Sequence, residues 1–157
     1  MRFEGLDDAF SVELKGKRFE GDLASDLKID KVNLSDEFTR QASVYAWWAT
    51  LSALAQEKYQ HKRLERKIVE AELDKEKRLT LGAENNRRVT EKVVEREVHL
   101  DPRWRKAYEE EIEAAKEAAI LSGATEALRQ RKDMLVALGL QLREELRSDQ
   151  VLREATK

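Results

Sequence analysis

Cysteine is absent from this chain, which excludes a disulfide framework and a thiolate metal site. Proline occurs once, at Pro102, so almost the whole length is free of the strongest helix breaker. The two histidines, His61 and His99, lie far apart, and neither has a partner at metal-ligand spacing. No stretch approaches the ~18 consecutive apolar residues of a membrane span. Met1-Arg2-Phe3-Glu4-Gly5 lacks the uninterrupted apolar run of a signal peptide. A cytoplasmic protein without membrane attachment is the expectation. Glycine-rich phosphate loops of the Walker or dinucleotide type are missing, and serine and histidine are too few and scattered for a triad. Neither cofactor nor enzymatic activity is therefore expected. Glu109-Glu110-Glu111 is the densest acidic cluster, and on a long helix such a run reads as a solvated face rather than a metal site.

What the chain has instead is charge. Asp, Glu, Lys and Arg make up 39% of its 157 residues, a composition of long helices and coiled coils rather than sheets. The net charge is only −2, but it is unevenly spread. Residues 1–38 hold six basic and ten acidic side chains; residues 58–106 hold fifteen and ten; residues 107–157 hold eight and eleven. The middle of the chain is its basic part.

The length suits one folding domain, divided here into an acidic N-terminal arm, 1–33, and a helical segment, 34–157. In the arm, Phe10, Val12 and Leu14 alternate with polar residues before Lys15-Gly16, the pattern of a small β-hairpin. An isolated hairpin is marginal in water, so an irregular, flexible arm is the expectation and the hairpin its alternative. A first long helix is predicted from near Ser35, capped by Asn33 or Ser35, with Asp36 and Glu37 in its first turn. Phe38, Ala42, Tyr45, Ala49, Ser52, Ala55 and Tyr59 recur at three- and four-residue steps, while Val44, Trp47, Trp48, Leu51 and Leu54 cover much of the remaining circumference. A helix apolar most of the way round is buried on several sides. In so short and hydrophilic a chain, this predicts packing against other subunits through Phe38, Tyr45, Trp47, Trp48, Leu51 and Leu54. Beyond Tyr59 the predicted stripe narrows to Leu64, Ile68, Ala71 and Leu73.

Gly82 and the Asn85-Asn86 pair predict a break. A short helix from Thr90 carries Val93, Val94 and Val98, and Asp101-Pro102 reads as N-cap and first position of the next. That last helix is predicted from Pro102 to about Leu146, with a near-heptad seam of Leu121, Ala124, Leu128, Leu135, Leu138 and Leu142 and a possible interruption at Gly123. The fold class is therefore all-α: an elongated hairpin of two long helices with a short connector helix, assembled into a homo-oligomer.

The basic run Lys58, Lys62, Arg63, Arg66, Lys67, Lys75, Lys77, Arg78, Arg87 and Arg88 is the candidate DNA-binding surface. Lys58, Lys62 and Arg66 fall at i, i+4, i+8 on one helix face. The bland alternative is a solvated face laced with ion pairs such as Glu65 with Lys62 or Arg66. Around a ring of subunits even a modest surplus sums, because phosphate binding is additive in neutralised charges. The aromatics Tyr45, Trp47 and Trp48 are base-stacking candidates, but their flanking apolar residues favour a packed core.

Several short motifs, in order and spacing, resemble the UvsY family of phage recombination mediators. They are Met1-Arg2-Phe3-Glu4-Gly5-Leu6, Leu27-Lys28-Ile29-Asp30, Tyr45-Ala46-Trp47-Trp48, Arg63-Leu64-Glu65 before Ala71-Glu72-Leu73-Asp74, and Thr90-Glu91-Lys92 with Val94, Val98 and Asp101. The resemblance implies a helical ring of roughly six to eight copies that binds single-stranded DNA. It also implies loading of a RecA-like recombinase onto strands covered by single-strand-binding protein, in the host-cell cytoplasm if phage-encoded. The family's DNA contacts include the second half of the first long helix, where this chain has Lys62, Arg63, Arg66 and Lys67. The register slips by two or three residues before Leu73-Asp74, where Glu70 and Glu72 stand, and the N-terminal arm is longer here. The alternative from composition alone is a coiled-coil scaffolding or assembly protein without nucleic acid.

Overall fold

A computed structural model of the chain describes residues 10–85 and 90–155. Most of them lie in helices. In chain order the elements are strands β1 (Phe10–Leu14) and β2 (Lys17–Gly21), then helices α1 (Leu23–Leu27), α2 (Leu34–Asn85), α3 (Glu91–Leu100) and α4 (Pro102–Ala155). Among the described residues no helix is long and apolar enough to cross a membrane.

The N-terminal alternation forms the hairpin. β1 and β2 pair antiparallel with Val12 opposite Phe19 and Leu14 opposite Lys17, leaving Lys15-Gly16 as a two-residue turn. Both turn residues have positive φ, as a primed hairpin turn requires. Val12 and Leu14 are buried, and the outward Ser11 accepts a 2.9 Å hydrogen bond from Arg18. What sequence reading missed is α1, a single turn capped by Asp22, whose carboxylate accepts from the Ser25 amide at 2.8 Å.

The chain folds as two compact units. The first contains the described residues through Ser52 and those from Leu121 onward. Here the two-stranded sheet lies against the aromatic part of α2: a Cβ on Gly21 would stand 2.8 Å from the Trp47 ring and 3.0 Å from the Trp48 ring. Only glycine lets the strand come so close. Trp48 and Leu51 are buried, as are Leu121, Ala124, Leu128 and Leu135 of α4. The α4 half of this core is the predicted seam; Leu138 is half-buried and Leu142 exposed. Between Leu128 and Leu135 the seam position is occupied by Arg131, only 3% exposed.

The second unit is Ala53–Ile120. Leu73, Val94 and Val98 form its apolar core, flanked by Val69, Leu81 and Trp104, so α3 packs onto the end of α2. Asp101 caps α4 as the sequence predicts, accepting from the Arg103 amide at 3.0 Å. α2 ends at Asn85, at the predicted Asn pair rather than at Gly82, and α4, which the sequence left open at Gly123, is continuous there and runs past the expected end near Leu146 to Ala155. An interior glycine costs a helix about 1 kcal/mol relative to alanine, too little to end helices of this length.

Candidate nucleic-acid interface

α2 determines where the basic run points. Its buried positions in the first unit are Gln41, Trp48 and Leu51, one residue off the stripe that begins at Phe38. Continued past Ala55 at three- and four-residue steps, this face meets Lys58, Lys62 and Arg66 before it reaches Val69 and Leu73. Of the predicted stripe Leu64, Ile68, Ala71 and Leu73, only Leu73 is buried; the first three point outward, with Leu64 and Ile68 about half exposed. Both stripes of the first half are apolar, so periodicity alone could not choose between them.

Three cations thus occupy core-facing positions in the second unit, and acids of α4 meet them. Lys58 Nζ donates to Glu117 at 2.6 Å, Lys62 Nζ to Glu110 at 2.8 Å and to Glu65 at 2.7 Å, and Arg66 to Glu111 and to Glu70 at 2.6 Å. The long apolar stems fill the seam while the charged heads reach its edge. Arg66 also lies over the Tyr108 ring, 6.0 Å from its centroid, and Tyr108 stacks on Trp104 at 5.0 Å. Hydrogen bonds from Lys62 to Glu110 and Glu65 raise the ammonium's pKa, and the same contact lowers that of Glu110. Glu111 likewise raises Arg66. Glu110 and Glu111, from the acidic run, are therefore part of the helix–helix seam.

Further along, Lys77 pairs with Asp101 at 3.1 Å, and Arg78 holds Asp74 through two contacts and Glu91 through a third at 2.5 Å. Arg63, Lys67 and Lys75 are exposed and make no ion pair among the described residues. They share the outward side of α2 with Leu64 and Ile68. Lys67 also borders an open groove whose other lining includes Glu70, Asp74, Glu91 and Glu95, so the cationic surface is narrow. Arg87 and Arg88, predicted to extend it, lie outside the described residues.

The aromatic segment divides in the same way. Trp48 and Leu51 are 1% and 2% exposed, so the chain itself supplies burial expected from neighbouring subunits. The Trp48 indole also donates to Asp26 at 3.0 Å, and Asp26 accepts from Arg40 at 2.8 Å. Leu54 and Tyr45 are half-buried, while Phe38 and Trp47 remain exposed. Tyr45 is in contact with Arg129, whose pKa this contact raises.

Sequence singles out neither Arg131 nor Gln41, and Glu37 only as a first-turn acid. Arg131 donates to Glu37, to the Gln41 side-chain oxygen and, at 2.9 Å, to the Lys28 carbonyl. Gln41 in turn donates to the Leu128 carbonyl at 2.8 Å. The one available signal was a missing apolar residue in the heptad seam between Leu128 and Leu135. Comparison with known proteins yields no matching family model, no matching curated protein and no matching solved structure.

Proposed function

We propose that this chain is a phage-type recombination mediator that binds single-stranded DNA as a homo-oligomer and helps load a RecA-like recombinase onto strands covered by single-strand-binding protein. The observation that carries the reading is the outward face of α2, where Arg63, Lys67 and Lys75 stand exposed and make no ion pair among the described residues, while Lys58, Lys62 and Arg66 are taken up by acids of α4. The motif order shared with the phage mediators supports it. The internal pairing shifts the weight of the DNA surface from Lys58, Lys62 and Arg66 to these three. Flexible cations that neutralise phosphates without touching base edges bind any sequence, which a loading protein requires.

Fluorescence anisotropy with a labelled oligo(dT) tests this directly. Arg63→Ala, Lys67→Ala and Lys75→Ala combined should weaken binding strongly while helix content by circular dichroism is kept. Unchanged affinity of the triple variant at physiological salt would remove the site.

A second reading has its own support. Within 53–120 the Lys/Arg and Asp/Glu counts are equal at sixteen each, and the ion pairs join helix to helix. This is the pattern of an assembly protein whose charges serve its own packing. Such a protein shows no anisotropy change with oligo(dT) at low or high salt.

A further inference from the structure

The first unit contains a groove that neither the helix seam nor the basic face of α2 accounts for. Its walls are Phe38, Ala42 and Tyr45 on α2 and Arg129, Lys132 and Val136 on α4, around a volume of about 460 Å³. That falls within the range of small-ligand sites, ~300–1,000 Å³. Phe38 and Tyr45 are seven residues apart, so their rings sit two turns apart on one side of α2, about 10 Å along the axis. Ala42 stands between them and adds only a methyl group. Phe38 is 44% exposed despite lying against α4. A Cβ on Gly139 would stand 3.2 Å from its ring, so the glycine gives the ring its seat.

The opposite wall carries two cations one turn apart. Arg129 reaches across to Tyr45 and pairs with Glu126 at 3.3 Å, and Lys132 pairs with Asp133 at 3.1 Å, the four charged side chains being more than half exposed. Exposed ion pairs of this kind are weak, so either acid yields readily to a phosphate. Gln41, at the floor, already donates to Leu128 and accepts from Arg131, and so is not available to a ligand.

We propose that this groove receives unpaired nucleobases of single-stranded DNA, which stack on Phe38 and Tyr45 while Arg129 and Lys132 meet the adjoining phosphates. Aromatic rings beside cations on an open groove are the means by which single-strand binders hold bases without reading them. A second copy of the chain fits the charge less well. It would bury two like charges of one wall, whereas lysine is depleted where proteins meet. The proposal rests on the single-strand-binding reading above and adds to it a contact with bases.

The test compares oligo(dT) with an abasic oligonucleotide of equal length and charge, using wild type, Tyr45→Ala, Phe38→Ala and Phe38→Leu. The leucine variant keeps apolar bulk and removes the π-face, which guards against loss of fold. Wild type should bind oligo(dT) about tenfold or more tighter than the abasic strand. Each variant should lose most of that preference and keep its abasic affinity. Equal wild-type binding to the two strands overturns the stacking groove and leaves phosphate binding by α2 standing. Absence of binding to both strands overturns the single-strand reading and this proposal with it. If Phe38→Leu changes the mass by light scattering and keeps the base preference, a second copy covers the groove and the proposal is wrong.

Discussion

At the scale of single residues, Arg131 is the feature with the largest energetic consequence. It is a guanidinium in an apolar seam, and burying such a charge is tolerated only when it is paired and hydrogen-bonded. Glu37, Gln41 and the Lys28 carbonyl are those partners, and among the described residues only Nε has no hydrogen bond. Arg131→Ala removes the cation and strands Glu37, itself 13% exposed. A loss of about 3–5 kcal/mol is expected in urea denaturation. Replacing Arg131 and Glu37 together by methionine should cost much less, because no uncompensated charge remains. Asp101 presents a different case. Arg103, followed by Lys77, holds its carboxyl well below the usual carboxylate range. A depressed folded-state pKa contributes stability above the unfolded value, near 3.9, and loses it as pH falls toward the folded one. Asparagine caps a helix about as well as aspartate, so Asp101→Asn isolates the charge. The variant should melt earlier than wild type at pH 7, and the gap should narrow as pH drops below about 4, followed by circular dichroism.

At the scale of elements, α2 shows how one helix can be misjudged by one residue. Its start, its first-turn acids and its great length follow from local preference and the lack of proline. Its buried face does not, because in the first half two adjacent stripes are both apolar. The decision is made by Gly21, which admits the indoles of Trp47 and Trp48, and by Gln41 and Arg131, which tie α2 to α4. In the second half the same face carries Lys58, Lys62 and Arg66, so three residues that resemble a DNA surface in sequence are seam residues in the fold. This separates two sets of substitutions. Lys62→Ala with Arg66→Ala should lower the melting temperature by a few degrees, as loss of roughly 1 kcal/mol does. Arg63→Ala with Lys67→Ala should leave it nearly unchanged, and their effect should fall on DNA affinity. A double variant at 62 and 66 that keeps full stability would mean the seam charges are energetically idle.

At the scale of the whole molecule, charge is plentiful and nearly cancelled, so salt dependence is the most informative global measurement. For single strands the slope of log affinity against log salt is about −0.7 per phosphate neutralised. Each of Arg63, Lys67 and Lys75 changed to alanine should make the slope shallower by about that amount for every copy engaged. Stacking on Phe38 and Tyr45 involves no released counterion, so their substitution should shift affinity at all salt concentrations and leave the slope alone. A slope insensitive to the three cations would assign the phosphate contacts to other residues.

Sequence by itself determined the helical class, the cap at Asp101-Pro102 and the Leu121–Leu135 seam, and for the N-terminal arm it left the hairpin as the lesser of two readings. These depend on interactions within a few residues, which short-range periodicity records faithfully. Tertiary structure alone decided which of two apolar stripes α2 buries, that Arg131 replaces an apolar seam residue, and that Lys58, Lys62 and Arg66 turn inward to Glu117, Glu110 and Glu111. The partners of Lys58, Lys62, Arg66 and Arg131 lie 45 to 103 residues away. A charge on a helix has the same local pattern whether it faces water or an acid on another helix. Only the opposing surface decides which of the α2 cations are taken up by acids and which, like Arg63, Lys67 and Lys75, stay exposed.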